Sequence, residues 1–165
     1  MPLQAQGEFA LVKEQLERAL DLAGQPVKRG TMAHKHIVYM MLTDAAARLG
    51  DEPAARHYAA LLEQLAIRDG HQPYLAVAQR ALGVVHRLGE EYGEAETRLT
   101  EALALFGERD AHWQIGRTLA EMAELALAQS DKAGARDYYG RALVEFEAIG
   151  ARPDMERIRT ALEAV

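Results

Sequence analysis

Apolar residues recur along the chain at a fixed spacing of 40 residues. Ala55, Ala95 and Ala135 follow this spacing. So do four larger apolar residues, which are Leu42, Leu82, Met122 and Leu162. Self-similarity at a period of this size is typical of stacked supersecondary units. The pattern therefore predicts a repeat architecture rather than one irregular globular core.

Each period contains two helical patterns. In the third unit the first apolar face has steps of three and four residues, and it consists of Leu75, Ala78, Leu82 and Val85. The chain then breaks at Gly89, and Glu91 is expected to cap the helix that follows. The second face consists of Ala95, Leu99, Ala102, Leu103 and Phe106. Since strand alternation is absent from the sequence, we predict an all-α fold of about eight helices.

The repeat boundaries predict one domain over residues 1–165. It divides into a half repeat, three full repeats and a terminal helix, at residues 7–24, 31–69, 71–109, 111–149 and 153–165. Gly7 and Glu8 predict a turn before the first helix, and a longer connection is expected from Gln25 to Gly30. The recurring alanines are expected where the second helix of a pair packs closely on the first, because side-chain size sets helix separation.

Composition narrows the class of protein. The net charge is −6, with 19 basic and 25 acidic residues spread along the chain. Nucleic-acid binders usually carry a basic patch, so we expect no nucleic-acid partner. Without a long apolar run or a signal-like start, we expect no membrane partner and a cytoplasmic location. There is no cysteine, which excludes disulfides and thiolate metal sites.

Several short motifs repeat with the period. A large residue precedes a small one in Leu82-Gly83 and Met122-Ala123, and glycine precedes an acid in Gly50-Asp51. Ala135, Tyr139 and Ala142 are spaced by four and three residues. These motifs resemble the tetratricopeptide repeat, whose usual period is about 34 residues. With a period of 40, the chain resembles the longer repeats in the helical arms of bacterial signal-transduction regulators.

The resemblance implies a right-handed α-solenoid of antiparallel helix pairs, with first helices lining a concave groove. The groove positions that it implies are Ile37, Met40, Asp44, Arg48, Val77, Arg80, Val84, Arg87, Arg117 and Glu124. Arginine suits bidentate capture of carboxylates. We therefore expect a peptide or helix with acidic and apolar side chains as the occupant. The alternative is that these positions are solvated helix faces with ion pairs inside each helix.

Histidine is the first candidate for chemistry. His34 and His36 are two residues apart, so they do not share a helix face, and no further ligand completes a zinc set. We expect a surface pair there and a packed core position for His86. His71 and His112 each follow an Arg-Asp pair, which leaves open a site across two loops.

Catalysis has little support in the sequence. Ser130 is the only serine, and it occupies a tight turn where a small residue is needed. Common covalent nucleophiles are therefore nearly absent. We expect no enzyme activity, no cofactor and no metal.

Two function classes remain. The leading hypothesis is a non-catalytic module that binds a protein or peptide segment, as part of a bacterial regulatory protein. The alternative is a self-associating homodimer through the terminal helices, or a fragment of a larger signalling protein. The half repeats prompt this alternative, because they leave apolar faces without a neighbour: Phe9, Val12 and Leu16 at one end, Ile158 and Leu162 at the other.

Overall fold

A computed structural model describes the backbone of residues 3–23 and 32–165, and the side chains of residues 8–18 and 35–165. This part of the chain forms eight helices and no strand, which confirms the all-α prediction. The helices are α1 (Leu3–Ala23), α2 (Met32–Leu49), α3 (Glu52–Arg68), α4 (Gln72–Leu88), α5 (Tyr92–Gly107), α6 (His112–Ala128), α7 (Lys132–Ala148) and α8 (Arg152–Ala164). The expected connection from Gln25 to Gly30 lies outside the described residues.

The same tight turn recurs every 20 residues, at half the sequence period. Its central residue has a φ between 47° and 73° and is, in turn, Gly50, Gly70, Glu90, Asp110, Ser130 and Gly150. The following amide donates to the carbonyl five residues earlier, over 2.8 to 3.2 Å, as from Glu91 to His86. This is the common C-terminal motif of an α-helix, in which one residue after the helix adopts the left-handed conformation. Because every turn has one geometry, successive helices reverse direction in the same way.

The helix starts use their acidic residues differently. Asp51 and Asp131 each accept a hydrogen bond from the amide three residues later, at 3.2 and 2.9 Å. Glu91 occupies the corresponding position but makes no capping bond. Its longer side chain contacts His86 and accepts from Arg56 instead. The prediction that the Glu91 side chain caps its helix is therefore wrong.

Small residues set the helix separation. Ala55, Ala95 and Ala135 are completely buried. A Cβ on Gly83 of α4 would lie 2.6 Å from Leu99 Cγ of α5, closer than real Cβ contacts. Alanine and glycine at these points therefore allow the helices to approach, as the sequence argument on side-chain size requires.

The two ends differ from expectation. Helix α1 begins at Leu3 and continues through Gly7 and Glu8, so the predicted turn there is wrong. At the other end, Ile158 is only 2% exposed and Leu162 packs against the same core, so this face is not free. Helix α8 turns its apolar side inward onto α7 and leaves charged residues such as Arg159 and Glu163 outside.

Consecutive helices pack against one another, and α2, α4 and α6 also contact one another in series. This second set of contacts brings the first helices of the repeats to one side of the stack. None of the helices that the structure describes is long and apolar enough to cross a membrane.

Candidate binding groove

One open cavity of about 450 Å³ lies along the side formed by α2, α4, α6 and α8. We call it the groove, and it is lined by Met40, Thr43, Asp44, Ala47, Arg48, Val77, Arg80, Ala81, Val84, Arg87, Arg117, Glu121, Glu124 and Arg157. Nine of the ten positions named from the sequence belong to this lining. The exception is Ile37, which lies on α2 outside the groove with 41% of its surface exposed.

Sequence reasoning missed five lining residues: Thr43, Ala47, Ala81, Glu121 and Arg157. A signal for one of them was present, because Arg157 follows Arg117 by one period of 40 residues. Applying the 40-residue spacing to the terminal helix would have predicted Arg157 as a groove residue. The others are neighbours or helical-turn partners of predicted residues, and their inclusion depends on how each helix is rotated.

The groove is positively charged within an acidic protein. Five arginines and three carboxylates line it. Each carboxylate has a partner in the described structure. Asp44 Oδ2 lies 3.5 Å from Arg117 Nη2, and Glu121 Oε2 lies 3.4 Å from Arg87 Nη2. These pairs join different helices, so the charges are not the intrahelical pairs of the alternative interpretation.

Glu124 is held by a buried hydroxyl. Tyr139 of α7 is 2% exposed, and its Oη donates to Glu124 Oε1 over 2.5 Å. Burial, and then the hydrogen bond to the carboxylate, raise the pKa of Tyr139 above its ordinary value. The tyrosine therefore keeps its proton at neutral pH, and it fixes the Glu124 carboxylate at the groove wall.

Arg80 occupies the most enclosed position among the groove arginines. It is 6% exposed, and its Nη1 donates to the side-chain oxygen of Gln114 over 2.5 Å. The guanidinium also lies 5.4 Å from the centre of the Phe106 ring. No carboxylate of the described residues forms an ion pair with it. Burial, and then the nearby charge of Arg117, lower the pKa of Arg80 to about 10, so it remains cationic at neutral pH.

Trp113 lies beside the groove and contacts residues of α6 and α8. Its Nε1 donates to Asp154 Oδ2 of α8 over 3.0 Å, and Arg117 lies 5.0 Å from the ring centre. The indole is 41% exposed. Trp113 therefore covers the junction between α6 and α8 and also holds the Arg117 side chain from one side.

The histidines do not all meet at one site, although the ring centres of His36 and His71 lie 5.5 Å apart. His36, expected at the surface, is 2% exposed and stacks on Tyr74 at 4.4 Å. Its Nε2 lies 3.6 Å from Asp69 Oδ2. The contact is an ion pair only when the imidazole ring is protonated. His86, expected in the core, is instead partly exposed and contacts Glu91, which lowers the pKa of that carboxyl. The histidine that is buried is therefore His36 rather than His86.

The two Arg-Asp-x-His motifs are used differently. His71 Nδ1 accepts from the Tyr74 amide at 3.4 Å and caps α4. His112 Nδ1 lies 2.8 Å from Glu145 of α7. The His34 side chain lies outside the described residues. In the described part of the chain, no three His, Cys, Asp or Glu side chains converge in a way that could hold a metal ion.

Comparison with known proteins shows the fold class. No protein-family model matches the chain, and no curated protein matches it. Among solved structures, the chain is similar to the crystal structure of BtubC (BKLC) from P. vanneervenii, with a TM-score of 0.63 and 19% identity. The match covers 98% of this chain and 77% of that chain. At this identity the likeness concerns the fold alone, and the chain is an all-helical protein with a repeat-like fold.

Proposed function

We propose that the chain is a non-catalytic interaction module that binds a segment of a partner protein in the groove. The observation that carries this proposal is the lining itself. Four helices from successive repeats contribute five arginines and several apolar side chains to one open cavity. An extended or helical segment with acidic and apolar side chains complements such a surface in both charge and polarity.

The proposal includes a tetratricopeptide-like repeat in a cytoplasmic bacterial regulatory protein. Its support is the set of repeated motifs, the buried alanines and the placement of first helices on the groove side. The longer period has a simple account. Helices α3 to α7 have 16 or 17 residues, and each of the turns between them has three or four. Helices of this length give 40 residues per pair instead of about 34.

A displayed peptide library tests the groove. Selected peptides are measured against the wild type, against a groove variant and against a control. The groove variant is Arg48→Glu with Arg157→Glu, because both side chains line the cavity and are exposed, so the loss of stability should be small. The control is Arg109→Glu with Arg136→Glu, two exposed arginines outside the lining. We expect at least a tenfold loss of affinity in the groove variant alone. An equal loss of affinity in both variants, or no loss in either, would show that the peptides do not bind in the groove.

Self-association is a second candidate, and an exposed apolar pair on α1 favours it. Leu11 is 57% exposed and Val12 is 39% exposed. Since the α8 face is covered, this version of the homodimer uses α1. Light scattering of the wild type and of Leu11→Gln with Val12→Gln tests it. A wild type that is monomeric at high protein concentration would exclude this candidate.

A further inference from the structure

We propose that Arg80 and Arg117 anchor one carboxylate group, carried by an acidic side chain of the partner segment and flanked by apolar side chains. This inference rests on the proposed function and names the chemistry at the centre of the groove. It assigns Arg80 the primary contact and Arg117 the second. Met40, Val77 and Val84, which line the same cavity, supply the apolar surroundings.

The first argument is that no carboxylate of the described residues contacts Arg80 directly, and Asp44 and Glu121 stabilise its charge only from a longer distance. A buried cation is costly unless it is paired and fully hydrogen-bonded. The Arg80 guanidinium is nine-tenths buried, yet its bonded acceptors are the neutral side-chain and main-chain oxygens of Gln114, at 2.5 and 3.5 Å. A carboxylate would replace or supplement this contact with a charge-assisted, bidentate pair, which is about twice as strong as a neutral hydrogen bond.

The second argument is that neighbouring donors are weakly committed. Arg117 meets Asp44 at 3.5 Å, the long end of ion-pair distances, and Asp44 is 48% exposed. Arg87 Nε is buried in the same lining and donates to no acceptor in the described part of the chain. An unpaired buried donor costs free energy that a ligand oxygen would recover. Arg117 and Arg87 can therefore donate to a ligand oxygen without losing strong bonds.

The third argument concerns the charge of the ligand. Three carboxylates stand in the lining beside five arginines, so the groove has an excess of only two positive charges. A singly charged carboxylate meets less repulsion from Asp44, Glu121 and Glu124 than a doubly charged phosphate would. The lining therefore favours an acidic side chain over a phosphorylated one.

Two blocked peptides and one small acid test the anchor. The probes are acetyl-Ala-Leu-Glu-Leu-Ala-amide, the same peptide with Gln in place of Glu, and glutarate. Titration calorimetry gives affinities, and the Nε–H resonance of Arg80 reports the contact directly in the wild-type protein. We expect the Glu peptide to shift this resonance and to bind at least tenfold more tightly than the Gln peptide and than glutarate.

Variants locate the contact. Arg80→Gln is expected to bring the affinity for the Glu peptide down to that for the Gln peptide, whereas Arg136→Gln, on an exposed surface, leaves it unchanged. A wild-type Arg80 resonance unmoved by millimolar Glu peptide would overturn the anchor even if the variant did not fold. Equal binding of the Glu and Gln peptides would also overturn it. In that case weaker binding of both by Arg48→Glu with Arg157→Glu would show that the groove function survives.

Glutarate distinguishes a small free acid from an acidic side chain of a partner segment as the source of the carboxylate. Binding of glutarate as tight as that of the Glu peptide would overturn the assignment to a partner segment. A library ligand that binds in the groove but contains no acid at its essential positions would overturn the anchor alone. If the wild-type protein bound no peptide in the library experiment, that result would instead contradict the proposed function.

Discussion

Arg117 of α6 forms an ion pair with Asp44 of α2, with Nη2 and Oδ2 3.5 Å apart. The two residues are 73 positions apart, and α4 lies between their helices in the series of packed first helices. The contact therefore spans the groove from one wall to the other. Both groups are partly exposed, so the pair is worth at most about 1 kcal/mol to stability. If the proposed segment binds in the groove, the pair lies where it would affect binding more than folding.

Asp44→Asn should strengthen binding of the glutamate peptide. The change removes a negative charge from the lining and frees Arg117 for the ligand, so we expect affinity to rise by about threefold to tenfold. The free energy of unfolding should change by less than about 1 kcal/mol. Titration calorimetry measures the affinity. Asp137→Asn, which removes an exposed carboxylate near Arg141 on α7, is the matched control and should have no effect. Weaker binding by Asp44→Asn would instead mean that Asp44 holds Arg117 in place for the ligand.

Nine of the ten positions named from the sequence line the cavity because first-helix positions repeat with the period. Arg157, for example, lies 40 positions after Arg117 and lines the same cavity, although Ile37, 40 positions before Val77, does not. The contacts inside the groove were not predictable in this manner. Arg80 meets Gln114 and Arg87 meets Glu121, and both pairs are 34 residues apart. This offset depends on the packing of neighbouring repeats, and the period of one repeat contains no information about it.

The histidines and the first helix show a different limit. His36 belongs to an apolar face only because Tyr74 and the end of α3 cover it, and neither contact follows from the residues beside it. At Gly7 the sequence contains a glycine and an acid in the order of a turn, yet α1 passes through them. A glycine inside a helix costs only about 1 kcal/mol, which packing of the helix can offset.

Gly83→Ala should destabilise the protein although alanine is the better helix former. The new Cβ would lie 2.6 Å from Leu99 Cγ and 3.2 Å from the Ala95 carbonyl oxygen. Overpacking of this kind costs about 1–3 kcal/mol, against a helix-propensity gain of about 1 kcal/mol. We therefore expect a net loss of about 1 kcal/mol in chemical denaturation. Gly140→Ala on α7 meets nothing within 4 Å and should gain about 0.5–1 kcal/mol. A gain in both variants would show that α4 and α5 have room to separate.

Glu90→Gly should stabilise the turn between α4 and α5. Glu90 has a φ of 60°, in the left-handed region that side chains with a Cβ disfavour. Glycine occupies the equivalent position at Gly50, Gly70 and Gly150. We expect a gain of about 0.5–1 kcal/mol in the free energy of unfolding, after the entropy of glycine in the unfolded chain is counted. Glu90→Ala keeps the strain and serves as the control. If Glu90→Ala increased the free energy of unfolding as much as Glu90→Gly, the effect would come from the lost carboxylate.

The stability that Asp51 contributes should disappear at acid pH. Lys13 of α1 donates to Asp51 Oδ2 over 2.6 Å, and the Ala54 amide donates to its other oxygen. These two bonds hold the pKa of Asp51 below its usual value of 3.8. As the pH falls, the unfolded chain therefore takes up this proton before the folded protein does. The stabilisation is complete above the usual value and is lost as the pH falls through the lowered pKa.

A comparison of the wild type with Asp51→Asn isolates this contribution. Asparagine can still cap α3, but it has no charge with which to form an ion pair with Lys13. We expect the wild type to be more stable by up to about 1 kcal/mol near neutral pH, since the pair is partly exposed, and the difference to shrink from about pH 4 downward. Urea unfolding at several pH values measures it. Glu14→Gln, which removes an exposed partner of Arg18 on the same helix, is the control for general loss of charge on α1. A difference that stays constant with pH would show that the charge on Asp51 does not produce the stabilisation.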